Sequence, residues 1–144
     1  MIVSLSTTVS VVLFGSMVGY ALAKRRFFGS KLLYVLILFT MMIPFQITLI
    51  PQYILMVKLG LTDTYASLIA PTMMSAFSIV VFRQFFMSLP QALIDAARID
   101  GCSEPGILFR LIWPLSRPVI VTVAILTFMA SWNDISYAEF LDSL

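Results

Sequence analysis

The feature that most constrains the fold is a set of long runs without charged residues. The first extends from about Val3 to Ala23, and its 21 residues are enough for a helix to cross a hydrocarbon core of about 30 Å, at about 1.5 Å per residue. Further spans are predicted at about 32–53, 64–86 and 119–137. Because lipid offers the backbone no hydrogen-bonding partner, such segments fold as helices. We therefore predict an all-α fold, a polytopic transmembrane helical bundle with about four spans.

The composition also indicates a membrane protein, and it excludes several classes of function. Hydrophobic residues make up 60% and charged residues 11% of the 144 residues, whereas a soluble domain carries about 25% charged residues. At this length we predict a single domain, residues 1–144. No basic run indicates nucleic acid binding, and no cofactor is indicated. The absence of histidine excludes a histidine-based metal site, and the single cysteine, Cys102, cannot form an internal disulfide.

Basic residues are concentrated in two of the predicted loops. Four follow the first run within residues 24–31, and three more follow the third run within residues 87–117. The loop after the second run holds only Lys58. Because cytoplasmic loops carry an excess of Lys and Arg, loops 24–31 and 87–117 are predicted to be cytoplasmic. Both termini then lie outside, and membrane lipid surrounds the spans.

Gly15 and Gly19 form a pair of small residues four positions apart in the first run, and Ala23 extends the series. Such spacing lets the backbone of another helix come close. We predict that this face packs against another helix of the same chain.

Polar residues within the second predicted span are candidates for lining a solute pathway. Gln46 and Gln52 lie close to Pro44 and Pro51, and a proline inside a span kinks the helix and frees a backbone carbonyl. Amides at that depth either line a pathway or satisfy the freed carbonyl, and the sequence leaves both interpretations open.

Asn133 and Asp134, which follow Trp132, are weaker candidates for the same role. They suit the membrane interface, where tryptophan is enriched, but a carboxylate inside a water-filled pathway is the alternative. The charge-free stretch 118–133 has only 16 residues, and this shortness favours the interface.

The polar stretch at residues 91–118, called the 91–118 unit below, is predicted to form two short helices joined by a turn. Ser88 is predicted to cap the first helix, with a glutamine at the capping-box position three residues later. Asp95 and Arg98 form an i,i+3 pair on that helix. Gly101 occupies the position of a left-handed C-terminal cap.

The second helix of the unit has its own start signal. Ser103 is predicted to cap it, and Glu104 and Pro105 suit its first turn. Four apolar residues then fall on one face: Ile107, Leu108, Leu111 and Ile112. From the residues alone, the unit is either an amphipathic connector resting on the membrane surface or a compact unit that docks on another protein.

Seven residues of the unit follow a spacing that is known from one protein family: Asp95-Ala96-Ala97, Gly101, Leu111 and Trp113-Pro114. Glu-Ala-Ala, Gly, Ile and Leu-Pro at this spacing form the loop motif of the membrane subunits of binding-protein-dependent ABC importers, which the chain therefore resembles. Asp, Leu and Trp replace the motif's Glu, Ile and Leu. The stretches MMIPFQITLIPQYILMVKLGLTDTY, FRQFFMSLPQALIDAARIDG and TFMASWND look like the carbohydrate-importing, maltose-type permeases.

The resemblance implies a permease subunit in a bacterial or archaeal cell membrane that is not itself an enzyme. In that family the first helix of the loop is the coupling helix, which inserts into a groove of a cytoplasmic ATPase. The positions expected to take part in coupling are Asp95, Ala96, Ala97, Arg98, Asp100 and Gly101. The implied partners are ATPase subunits, a second permease subunit and an external solute-binding protein. Members of this branch usually have six spans, so the chain is expected to lack the first and last.

The alternative is a small structural or channel-like four-helix membrane protein without an ATPase partner. A channel would show rings of like charge or a filter sequence, and the sequence contains neither. An intramembrane hydrolase would need carboxylates on two spans, whereas only Asp134 is available. Nucleophilic chemistry at Cys102 lacks a plausible base beside it. The resemblance therefore favours a sugar permease subunit that forms the solute pathway and couples through loop 91–113.

Overall fold

The computed structural model describes residues 1–61 and 64–133, and within these ranges all regular structure is helical. This confirms the all-α prediction for the described part of the chain. The helices are α1 (Ile2–Lys24), α2 (Ser30–Met41), α3 (Phe45–Lys58), α4 (Tyr65–Thr72), α5 (Ala76–Ser88), α6 (Gln91–Ile99), α7 (Glu104–Leu115) and α8 (Arg117–Asn133).

α1 runs without a break over 23 residues, as predicted for the first uncharged run, and α4, α5 and α8 pack against it. Its most extensive contacts are with α5, followed by those with α8. Among the described helices, α1 alone is long and apolar enough to cross a membrane as a single helix. The number of crossings rises to at most 4 when each bent pair of helices is taken as one crossing.

The two glycines of α1 face α5 at close range. A Cβ atom at Gly19 would lie 2.8 Å from Phe82 Cβ and 3.0 Å from the backbone N of Arg83. A Cβ atom at Gly15 would lie 2.5 Å from Ser78 Oγ. These distances are too short for ordinary contacts, so only glycine fits without a shift of the neighbouring helix. The prediction that this face packs against another helix of the chain is confirmed.

A single buried core joins α1, α5 and α8 to the 91–118 unit. Phe82 and Phe86 of α5 are both 0% exposed, and their rings stack with centroids 5.6 Å apart. The ring of Tyr20 meets Phe86 edge-on at 6.5 Å. Aliphatic residues of α1, α8 and the 91–118 unit complete the core: Val11, Val12, Ile94, Ile107, Leu108, Ile112, Val119 and Val123. The 91–118 unit is therefore packed into the bundle along its apolar face.

The second predicted span is divided into two helices. α2 and α3 are bent by 100° relative to each other across the break at residues 42–44. Pro44 is extended, with φ −61° and ψ 135°, and a proline also disfavours helix in the residue before it. A kink was predicted at the prolines, but Pro44 separates two helices, whereas Pro51 lies within α3. No residue of α2 or α3 is fully buried, so their apolar side chains remain open to surrounding lipid or protein.

The third predicted span is also divided, with a bend of 42° between α4 and α5. Pro71 lies inside α4, and the break follows it at residues 73–75. Ser75 then caps α5, because its Oγ accepts a hydrogen bond from the Ser78 N–H at 3.4 Å. The fourth predicted span corresponds to α8, and its predicted end at residue 137 lies outside the described residues.

Candidate functional site

The first helix of the 91–118 unit begins at Gln91, but the predicted Ser88 cap is wrong. Ser88 is the last residue of α5, and its Oγ donates to the backbone carbonyl of Phe85 at 2.6 Å. Leu89 and Pro90 are both extended, and Pro90 takes the capping position. The proline forces this outcome, because the residue before a proline is disfavoured in the helical region.

The turn between the two helices of the unit is a Schellman motif, which ends α6 as the sequence predicted. Gly101 has φ +81°, in the left-handed region where glycine carries no steric penalty. The Gly101 N–H donates to the Arg98 carbonyl and the Cys102 N–H to the Ala97 carbonyl, both at 3.0 Å. The turn therefore satisfies the carbonyls at the end of α6 and sets the direction of α7.

The start of α7 also follows the prediction. Ser103 Oγ accepts a hydrogen bond from the Gly106 N–H at 3.3 Å, and Glu104 lies in the first turn. The predicted apolar face is buried at Ile107, Leu108 and Ile112, with Leu111 half-buried. Residues Ile107–Ile112 form a π-helix, a wider turn that is frequent at functional sites.

A charge network joins α6 to the start of α7. Arg98 Nη1 lies 3.4 Å from Asp95 Oδ1, which confirms the predicted pair. Arg98 Nε also donates to Glu104 Oε1 at 3.0 Å, and Nη2 lies 3.0 Å from the same oxygen. Gln91 Nε2 donates to Asp95 Oδ1 at 3.1 Å. The two helices of the unit are thus linked by polar contacts beyond the turn that connects them.

Tyr20 of α1 extends this network into the bundle, a contact that the sequence did not predict. Its Oη donates to Glu104 Oε2 at 2.8 Å, across 84 positions of the chain. A tyrosine in an apolar run was the available signal, because a buried tyrosine hydroxyl usually finds a hydrogen-bond partner. Its partner could not be chosen from the sequence, since that requires the relative placement of α1 and α7.

The network shifts the pKa values of its charged groups. A hydrogen bond to Glu104 raises the pKa of Arg98 above its ordinary value, against a smaller opposing effect of desolvation. Burial acts to raise the pKa of Glu104, but hydrogen bonds from Tyr20 and Arg98 outweigh it, and the pKa falls below its ordinary value. The Glu104 carboxylate therefore stays ionised at neutral pH, where it can accept hydrogen bonds from both partners.

α6 directs one side chain to the core and most of the others to solvent. Ile94 is 1% exposed, whereas Leu93 is 43% and Ile99 86% exposed. The sequence reasoning did not single out these two exposed apolar residues, although they lie in the motif-bearing helix. Of the positions assigned to coupling, only Ala97 is half-buried, and the exposed ones are Asp95, Ala96, Arg98, Asp100 and Gly101. This surface of small, apolar and charged residues is suited to contact with another protein.

The described glutamine and asparagine candidates for the pathway do not come together. Gln46 is exposed, Gln52 is half-buried, and Asn133 is exposed at the end of α8. Asp134 lies outside the described residues. None of the first three lines the cavity described next, so the structure does not assemble them into one site.

A cavity of about 840 Å³ lies among α1, α4, the start of α5 and the end of α8. Thr7 Oγ1 and Thr72 Oγ1 lie 3.3 Å apart at its wall. The hydroxyl-bearing residues that line it are Ser4, Thr7, Thr72, Ser75, Thr127 and Ser131, and none of its described lining residues is charged. The sequence reasoning did not single out these residues, although Ser4 and Thr7 stand one turn apart within the first uncharged run.

Comparison with known proteins gives consistent matches over nearly the whole chain. Residues 12–143 match the family described as "Binding-protein-dependent transport system inner membrane component". The chain is similar to the arabinooligosaccharides transport system permease protein AraQ of Halalkalibacterium halodurans, with 44% identity over 132 residues that cover 92% of this chain and 47% of the relative. It is also similar to the sn-glycerol-3-phosphate transport system permease protein UgpE of Pectobacterium atrosepticum, with 34% identity, 92% of this chain and 47% of the relative. The chain spans about half the length of these curated relatives.

The fold is similar to that of a chain in the crystal structure of a bacterial ABC transporter involved in the import of the acidic polysaccharide alginate. The TM-score is 0.73 and the identity 29%, and the match covers 92% of this chain and 49% of that chain. The helical arrangement described above is therefore shared with about half of that transporter chain.

Proposed function

The chain belongs to the family of binding-protein-dependent transport system inner membrane components, and from this membership we propose that it is a permease subunit of an ABC importer. In this role it contributes to the solute pathway, and a separate cytoplasmic ATPase hydrolyses the ATP. Its other partners are a second permease subunit and an external solute-binding protein. That the chain lacks the first and last spans of a six-span permease stays a prediction, which the intact mass of the native polypeptide checks.

The structural observation that supports the proposal is that α6 is buried on one side and exposed on the other. Its inner side is anchored through Ile94 in the core, and the Gly101 turn fixes its end. Its outer side exposes Asp95 and Ala96 together with the highly exposed Ile99. A short helix that is fixed from behind and carries small side chains in front suits insertion into a groove of another protein. We assign the ATPase contact to this outer side of α6.

We further propose a multi-pass topology in which loops 24–31 and 87–117 are both cytoplasmic. The Lys24 Nζ donates to the Leu89 carbonyl at 2.6 Å, so the ends of α1 and α5 lie at the same end of the bundle. This proximity supports placing both loops on the same side of the membrane. The excess of basic residues in these loops supports the cytoplasmic side.

The solute we propose is a neutral carbohydrate. The described lining of the 840 Å³ cavity offers hydroxyl groups and the ring of Trp132 but no charged side chain. Hydroxyl groups both donate and accept hydrogen bonds, as sugar hydroxyls require, whereas a phosphate or carboxylate would need a cation or strong donors. The similarity to a permease named for arabinooligosaccharides agrees with this choice, whereas the other two proteins compared above are named for anionic solutes, sn-glycerol-3-phosphate and the acidic polysaccharide alginate.

Co-purification from the native membrane in mild detergent tests the permease assignment. We expect the wild-type chain to recover an ATPase and a second permease subunit. Ala96→Trp should lose the ATPase, because a bulky side chain on the outer side of α6 blocks insertion into a groove. The matched control is Ala66→Trp, which makes the same change at an exposed position in α4 and should retain the ATPase.

Two results would count against the assignment. Recovery of the wild-type chain without an ATPase would overturn the permease proposal and favour the channel-like alternative. Equal recovery of the ATPase with both tryptophan variants would retain the permease but remove α6 from the contact.

A further inference from the structure

Three polar side chains on α1 contact the loop between α5 and α8 at successive helical turns. Ser16, Tyr20 and Lys24 are spaced at i, i+4 and i+8, so they lie along one face of the helix. Ser16 Oγ accepts a hydrogen bond from Trp113 Nε1 at 3.1 Å. Tyr20 donates to Glu104 at 2.8 Å, and Lys24 donates to the backbone carbonyl just after α5 at 2.6 Å. α1 therefore holds this loop before α6, at the start of α7 and near the end of α7.

Glu104 is the centre of these contacts, because its two oxygens serve two different helices. Oε2 accepts from Tyr20 of α1 at 2.8 Å, and Oε1 accepts from Arg98 of α6 at 3.0 Å. Arg98 continues to Asp95, one of the positions on the outer side of α6. One carboxylate thus links the first predicted span to the helix that we assign to the ATPase contact.

The Tyr20 end of this link is buried, which makes it specific. Tyr20 is 4% exposed, and its ring packs edge-on against Phe86. Within the described part of the chain, its hydroxyl donates to Glu104. The apolar contacts of Ile94 and Ile107 hold the unit against the bundle, but hydrophobic attraction by itself is non-directional. The hydrogen bonds of Glu104 add directional contacts to this packing, as do those of Ser16 and Lys24, because they require a particular alignment of donor and acceptor.

We propose that Glu104 is a positioning residue that fixes α6 on α1 through Tyr20 and Arg98. A displacement of α6 by the ATPase then moves α1 with it, instead of sliding the unit over the bundle. This inference rests on the proposed permease function, since it assumes that a partner pushes or pulls on α6. It adds a defined route, from Asp95 through Arg98 and Glu104 to Tyr20, by which the displacement reaches the membrane span.

A distance measurement between two spin labels tests this route. One label is placed at Met17→Cys on α1 and the other at Arg110→Cys on α7, both exposed positions, in a Cys102→Ser background. The distance is measured by electron paramagnetic resonance in the purified importer, without nucleotide and with ATP under non-hydrolysing conditions. We expect one narrow distance that does not change when ATP binds.

The test variant is Tyr20→Phe, which removes one hydroxyl and leaves the ring in place. This variant should show a broader distance distribution, and the distance should change when ATP binds. The ratio of molecules with the unit packed on α1 to molecules without this packing should fall roughly tenfold, which is the effect of losing one hydrogen bond to a charged group. Tyr65→Phe makes the same chemical change at a residue that is 64% exposed, and it should leave the distance unaltered. A change that merely destabilised the fold would lower the yield of the complex without creating an ATP-dependent distance.

Either of two results would overturn the inference: an ATP-dependent distance in the wild-type complex, or a narrow, ATP-independent distance in Tyr20→Phe. If no ATPase accompanies the chain, the permease proposal fails. The comparison of wild type with Tyr20→Phe in the isolated chain then still decides whether Glu104 and Tyr20 fix the unit on α1.

Discussion

Replacing Gly19 by alanine should destabilise the packing of α1 against α5. The new Cβ would lie 2.8 Å from Phe82 Cβ and 3.0 Å from the Arg83 backbone N, whereas ordinary contacts begin at 3.4 Å. α5 would therefore have to retreat by about 0.6 Å, because neither atom can rotate away. Overpacking of this kind costs about 1–3 kcal/mol, and the better helix propensity of alanine offsets about 1 kcal/mol. The net loss in the free energy of unfolding is therefore between about 0 and 2 kcal/mol.

Gly15→Ala provides a contrast, because its Cβ would meet a removable side chain. Ser78 Oγ would lie at 2.5 Å and Ser78 Cβ at 3.2 Å, and Ser78→Gly deletes both atoms. The double variant Gly15→Ala/Ser78→Gly should therefore be more stable than the sum of the single variants, by about 0.5–3 kcal/mol. Gly19→Ala combined with Ser78→Gly should be additive within about 0.5 kcal/mol, because the atoms that crowd Gly19 do not belong to Ser78.

Equilibrium unfolding in mixtures of a mild detergent and dodecyl sulfate, followed by circular dichroism, measures these differences. The six proteins of the comparison are the wild type, three single variants and two double variants. A Gly19→Ala protein that is about 1 kcal/mol more stable than the wild type, the gain expected from helix propensity alone, would refute the close approach of α5 to α1. Additivity of Gly15→Ala with Ser78→Gly would refute the specific contact between these two residues.

Three further predictions concern the 91–118 unit. Gly101→Pro should abolish solute uptake in cells while membrane insertion persists, because proline fixes φ near −65° and removes the N–H that donates to Arg98, and normal uptake would refute this. Because the folded pKa of Glu104 is lowered from its ordinary 4.5, its stabilisation is present above pH 4.5 and is lost as the pH falls through the folded value. In the wild type, the midpoint temperature of thermal unfolding should therefore decrease when the pH is lowered below 4.5. An equal decrease in Glu104→Gln would contradict this explanation. The exposed Cys102 thiol should react with a maleimide in the isolated chain and be protected when the ATPase is bound, and equal labelling in both states would argue against contact at this turn.

The helix ends show which features can be predicted from residues that are close in sequence. Gly101 and Ser103 form the predicted turn and cap, because each depends on backbone conformation and hydrogen bonds within a few residues. Ser88 was a plausible cap by the same rules, but the proline two residues later kept the chain extended and moved the helix start. Here the proline, which disfavours a helical conformation in the residue before it, prevails over the serine, which only favours a helix start.

The predicted pathway residues depend on tertiary placement, which local sequence patterns do not contain. Gln46 and Gln52 were selected because they are polar residues near prolines in an apolar run. In the structure Gln46 is exposed at the start of α3, and it is not among the residues that line the cavity, although Phe45 beside it is. Thr7 and Thr72 meet at the cavity wall across 65 positions of the chain, and no spacing rule connects them.

The sequence by itself determined that the chain is helical and belongs in a membrane, and it located the turn at Gly101 and the close-packing glycines of α1. These features follow from the backbone's need for hydrogen bonds in lipid and from contacts within one or two helical turns. Only the tertiary structure decided that Tyr20 bonds Glu104, 84 positions away, and that Trp113 bonds Ser16, 97 positions away. Such pairs depend on how separate helices are placed and rotated relative to one another. That placement is set by the packing of the whole core and not by any single stretch of sequence.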